Sequence, residues 1–271
     1  MVVYLILAAI PIIAALWLFV WPHYRRRWLL QTPFPDAWLA IVKRKVLFFD
    51  KLQVSEQHQL LDLIRQFIAS KQFFGCNGLV ITDEIRVTIA AEACLLLLNR
   101  HRDIYPGLRY SLVYPDAFAA QHESQNSDGT VRVASVGMLG ESWSNGKVIL
   151  SWEDVERGLA DPQDGHNVVL HEFSHQLDSE NGSTNGLPPL INNQSIKAWA
   201  KVFSAEFAAL NEAVQQQHMT VMDYYGATNA AEFFAVATET FFEKPLQLQQ
   251  LHPELYDQLS KYYGLEPKRW I

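Results

Sequence analysis

His171-Glu172-Phe173-Ser174-His175 constrains this chain more than any other feature, because an H-E-x-x-H pattern has chemical use only on a helix. At about 100° per residue the two histidines lie roughly 40° apart on one face, so both imidazoles reach one ion. Val169, Phe173 and Leu177 fall on the opposite stripe. The spacing therefore predicts a helix over 167–178 that is buried on one side and offers ligands on the other. Glu172 lies next to the ligand face, where a carboxylate takes a proton from a metal-activated water without being a ligand itself.

A catalytic zinc takes three protein ligands and keeps a fourth position open, so His171 and His175 need a partner from elsewhere. The longer H-E-x-x-H-x-x-G-x-x-H pattern is excluded, since its glycine and third histidine positions hold Asp178 and Asn181. Three acids stay open on spacing alone. Asp178 is seven residues after His171 and shares its face, as a ligand or as an acceptor for an imidazole N–H, while Glu232 and Glu239 sit on a second expected helix. Glu232 also fits the third helical position after an Asn229 cap, the arrangement of a capping box.

The body around this motif reads as α+β. Helices are expected over 55–71, 83–98, 167–178, 195–217, 229–242 and 253–263, and strands over 108–114, 131–138 and 147–152. Clustered strands followed by helices argue for a small sheet with helices to one side rather than a βαβ parallel array. Strand 147–152, after a turn at 140–146, is a candidate edge for pairing an extended peptide. With 22 basic and 29 acidic residues the net charge is -7, which leaves no electrostatic footprint for direct nucleic-acid binding. Two cysteines, Cys76 and Cys94, make no disulfide framework.

Residues 1–22 carry no charged side chain and give roughly 33 Å of helix at about 1.5 Å per residue, enough to span a bilayer. Arg25, Arg26 and Arg27 follow, and the positive-inside rule keeps them in the cytoplasm. The expected organisation is a transmembrane anchor over 1–22, a connector over 23–52 and a catalytic domain over 53–271 facing the cytoplasm.

Val87-Thr88-Ile89-Ala90-Ala91-Glu92-Ala93, Val113-Tyr114-Pro115, Gly140-Glu141-Ser142-Trp143, Val148-Ile149-Leu150-Ser151-Trp152, the run 171–178 and Ala231-Glu232-Phe233-Phe234-Ala235-Val236 together resemble the Mlc titration factor A family of zinc-dependent peptidases. That family resembles gluzincins, in which a glutamate on a second helix completes the zinc site. The resemblance implies a zincin-like fold with Zn2+ on His171, His175 and Glu232, Glu172 as general base and Tyr225 as oxyanion donor, with Tyr224 the adjacent competitor. It also implies a peptide or protein substrate, aminopeptidase action, and a repressor-type protein partner. The apolar N-terminus departs from this soluble family and sets the expected location at the cytoplasmic membrane, with the cytoplasm as alternative. The rival reading is a regulatory protein-binding module with a mainly structural zinc.

Overall fold

A computed structural model describes residues 24, 29–100, 103–116, 118–125, 131–138, 140–143, 146–190 and 195–270. The span expected over 1–22 lies outside them, and among the described residues no helix is long and apolar enough to cross a membrane.

The chain runs α1 (Asp36–Lys45), α2 (Val54–Ser70), β1 (Gln72–Gly75), α3 (Asp83–Leu95), β2 (Tyr110–Tyr114), β3 (Phe118–Gln125), β4 (Val131–Met138), β5 (Gly140–Trp143) and β6 (Lys147–Ser151). Helices α4 (Trp152–Ala160), α5 (Val168–Asp178), α6 (Ile196–Gln216), α7 (Ala230–Glu243), α8 (Pro245–Leu251) and α9 (Pro253–Tyr263) complete it. Caps explain several starts. Glu56 accepts the Gln53 N–H at 3.0 Å before α2, and Thr82 accepts the Ile85 N–H at 3.3 Å at the head of α3.

The main sheet has the order β1-β2-β6-β5, and β3 pairs with β4 in a separate antiparallel hairpin. β1, β2 and β6 are mutually parallel, and β5 runs antiparallel to β6. A small sheet is as expected, but β1–α3–β2 is a parallel crossover, contrary to the sequence reading. Gln72-Phe73-Phe74-Gly75 is too short to show alternation, and its pairing with β2 is long-range. A second correction concerns the free edge. Strand β6 is internal, and the segment read as a turn contains β5, which forms one edge of the sheet among the described residues, with β1 at the other.

Helix α3 is the centre of the core. Val87, Ile89, Ala90, Ala91, Ala93 and Cys94 are fully buried, as befits a helix with almost no polar face. α1, within the stretch read as a connector, packs on α3 through buried Ile41 and Val42. α3 also meets α5, whose Val169, Phe173 and Leu177 are all buried. Phe173 sits in an aromatic cluster with Tyr105 and Phe67, at centroid distances of 4.9 and 5.7 Å. α6 supports α7 in the same way, with Trp199 stacked on Phe203 at 3.9 Å and both touching Phe234. A Cβ on Gly158 of α4 would lie 2.7 Å from the His166 carbonyl oxygen, so glycine lets α4 press on the segment leading into α5.

Candidate metal centre

α5 and α7 lie side by side and carry the site between them. Asn167 starts α5 as its cap, with Oδ1 accepting the N–H groups of Val169 and Leu170, each at 3.1 Å. Burial of the Val169, Phe173 and Leu177 stripe turns His171 and His175 toward α7. Asn229 caps α7 by accepting from Ala231 and Glu232, at 2.9 and 3.0 Å. The side chain of Glu232 points to the histidines.

His171 Nε2 lies 3.0 Å from Glu232 Oε2, His175 Nε2 lies 3.3 Å from the same oxygen, and the two imidazole nitrogens are 3.3 Å apart. A tetrahedral zinc with bonds of about 2.0–2.1 Å has ligand-to-ligand edges of about 3.3–3.4 Å. Two imidazoles and one carboxylate are also the donor set zinc prefers at a catalytic site, so these residues fit the metal. The remaining acids do other work. Glu239 Oε1 lies 2.7 Å from His171 Nδ1, on the far side of the ring from Glu232. Asp178 is fully buried and accepts the Gly186 N–H at 2.7 Å, which ties down the loop after α5.

Glu172 is buried at 3% exposure on α5, beside the ligand face. Tyr225 stands in a short 3-10 turn, Tyr224–Ala227, packed against α7. Its ring is 54% exposed with its centroid 5.9 Å from that of His171, so it borders the site and faces solvent. The competitor Tyr224 donates its hydroxyl to the His218 carbonyl and is engaged elsewhere. Gly226 makes the turn fit, since a Cβ there would stand 3.2 Å from Leu210 Cδ2 and Val236 Cβ.

A family model described as glucose-regulated metallo-peptidase M90 matches residues 21–264. The chain belongs to this family. It is 43% identical over 258 residues to the uncharacterised protein slr2042 of Synechocystis sp., with 94% of each chain covered. It is 33% identical over 219 residues to Mlc titration factor A of Serratia proteamaculans, covering 80% of this chain and 82% of the relative. Against Mlc titration factor A of Yersinia pestis the identity is 28% over 254 residues, covering 90% and 93%. Membership places the chain among metallopeptidases and implies a metal.

The electrostatics of this M90 chain favour a positive charge where the donor atoms meet. Burial opposes ionisation of His171, yet the Glu232 and Glu239 carboxylates on its two ring nitrogens outweigh it and hold its pKa well above the ordinary value. Burial likewise pushes Glu232 up, and hydrogen bonds from His171 and His175 overcome it and bring the carboxyl down to about 2. Tyr225 is raised by burial, then by the charges of Glu232 and Glu172, so its phenol keeps its proton at neutral pH.

Sequence reasoning missed the surroundings of the histidines. Glu239 was weighed only as a ligand. Asn167 carried a cap signal, but nothing in the spacing disclosed that its N–H and amide reach Glu239 and Glu92 from two other helices.

Proposed function

We propose that this chain is a zinc-dependent metallopeptidase that hydrolyses peptide bonds. The reading is carried by the convergence of His171 Nε2, His175 Nε2 and Glu232 Oε2 within 4.8 Å of one another, beside a buried Glu172 on the same helix as both histidines. These three residues would hold the ion. When bound, zinc supplies a water acidic enough to ionise near neutral pH and a Lewis acid for the scissile carbonyl.

The chain's own groups do the rest. Glu172 accepts the water's proton and returns it to the departing amine nitrogen. The Tyr225 phenol donates a hydrogen bond to the oxygen that gains charge as the carbonyl is attacked. The free edge of β5, which lies against α5, offers main-chain partners to an extended peptide. Aminopeptidase action is proposed on the family resemblance alone. Zinc analysis of the purified chain, with product mass spectrometry on a mixed peptide library, tests the reading. One zinc per chain and cleaved products are expected, and fragments lacking only amino-terminal residues would distinguish the aminopeptidase mode.

A second reading draws on the relatives that bear the name Mlc titration factor A. It makes this chain a regulatory module that binds a repressor-type protein and uses zinc structurally. It predicts partner binding without cleavage of any library peptide. In either case residues 1–22 would anchor the chain in the cytoplasmic membrane, with residues 23–271 in the cytoplasm.

A further inference from the structure

Two nitrogens from one helix turn meet a single carboxylate behind His171. Glu239, only 6% exposed, faces His171 Nδ1 with Oε1 at 2.7 Å and accepts the backbone N–H of Asn167 on Oε2 at 2.6 Å. A peptide N–H can only donate, so Oε2 is committed. In the neutral imidazole that takes up a metal, Oε1 is left to accept the Nδ1 proton, and the lone pair falls on Nε2, the atom facing His175 and Glu232. His175 has no such brace among the described residues, where its buried Nδ1 meets no hydrogen-bond partner.

Asn167 makes this arrangement rigid through every polar group it has. Its Oδ1 caps α5, its N–H goes to Glu239, and its Nδ2 donates to Glu92 Oε2 on α3 at 3.0 Å. Serine, threonine and aspartate also cap helices well. Serine and threonine have a single hydroxyl oxygen for both duties, one atom short of where Asn167 Nδ2 meets Glu92, while aspartate has no donor and would set two carboxyl groups against each other.

We propose that Asn167 and Glu239 are positioning residues for the metal: Asn167 locks Glu239 to the first turn of α5, and Glu239 fixes the proton of His171 on Nδ1 so that Nε2 is free for the ion. This rests on the zinc reading. It also specifies which chemistry each acid must keep. Position 239 needs two acceptor oxygens, because a glutamine there turns its NH2 toward either His171 Nδ1 or the Asn167 N–H. Position 92 needs only one acceptor.

The test is zinc affinity of the full chain by chelator competition, with circular dichroism and metal-free melting as fold controls. Glu239→Gln and Asn167→Ser should weaken zinc by about tenfold to a hundredfold, the usual effect of losing an outer-shell partner. Glu92→Gln should lose less than Glu92→Leu. Nitrogen-15 imidazole NMR of the zinc-loaded unmutated chain gives a readout that needs no variant: His171 should carry its proton on Nδ1 and the metal on Nε2. Wild-type affinity in Glu239→Gln, or His171 protonated on Nε2, would overturn the proposal. An unmutated chain that binds no zinc would overturn the proposal and the zinc reading together, whereas tight zinc binding with the wrong tautomer overturns the proposal alone.

Discussion

Glu232 stands three residues after the cap Asn229, where a glutamate commonly folds back onto the cap's N–H, and its carboxylate instead meets His171 Nε2 at 3.0 Å and His175 Nε2 at 3.3 Å. The helix is still capped, because Asn229 Oδ1 accepts the N–H groups of Ala231 and Glu232. The local geometry thus leaves this glutamate free for the site.

Glu232→Ala should lose most bound zinc while the metal-free chain melts within a few degrees of wild type. Asn229→Ala should do the reverse, costing about 1 kcal/mol of stability through the lost cap with a smaller effect on zinc. Metal analysis and thermal melting of both variants check the pair.

Asp178 shares the histidine face but is engaged with Gly186, and Gly186 in turn accepts the Trp199 indole N–H through its carbonyl at 3.0 Å. Asp178→Ala should therefore destabilise the fold by about 1–3 kcal/mol, the cost of stranding a buried donor. Asp178→Asn, which keeps an acceptor, should recover most of that. Denaturant unfolding measures both. Loss of zinc from a stably folded Asp178→Ala would instead put Asp178 in the metal site.

Glu92 and Glu243 give the chain a pH dependence of known sign. Burial raises Glu92 to about 7 against a hydrogen bond from Asn167, and burial raises Glu243 to about 8, again against the Asn167 side chain and helped by the charges of Glu92, Glu239 and Asp164. The folded chain then holds protons that the unfolded chain has released above the ordinary value of 4.5. From 4.5 up to about 7 for Glu92 and about 8 for Glu243 the unfolded state binds fewer protons, so stability falls as pH rises, by up to about 1.4 kcal/mol per unit for each group within its own window. Metal-free wild type should melt lower at pH 8 than at pH 6, and Glu243→Gln should flatten that slope. Equal slopes in the two proteins would contradict the assignment.

The uncharged run 1–22 followed by Arg25, Arg26 and Arg27 predicts an N-terminus outside and the remainder in the cytoplasm. Protease added to inside-out vesicles should digest the catalytic domain. A protected domain would mean export.

How much of this was legible in the sequence follows from the range of each interaction. The α5 stripe and its histidines are local and periodic, so Phe173 and Leu177 were readable as core and His171 and His175 as a face. α1 was hidden because Asp36–Lys45 follows two prolines and mixes aromatic with basic residues, which mimics a connector. β1 and β5 are four residues each, and their pairing is decided by β2 and β6, strands distant or separated by a turn. Choosing among Asp178, Glu232 and Glu239 required the placement of α7 beside α5, a long-range packing of two helices that no spacing encodes.

Glu172→Gln tests the central claim most directly, because it removes the base while leaving every proposed ligand in place. Zinc content and peptide cleavage should be measured on the same preparation. The account predicts about one zinc per chain in wild type and variant alike, with cleavage reduced by about a hundredfold to ten-thousandfold in the variant. Undiminished cleavage by Glu172→Gln, or a wild-type chain that holds no zinc after metal-replete expression, would contradict it.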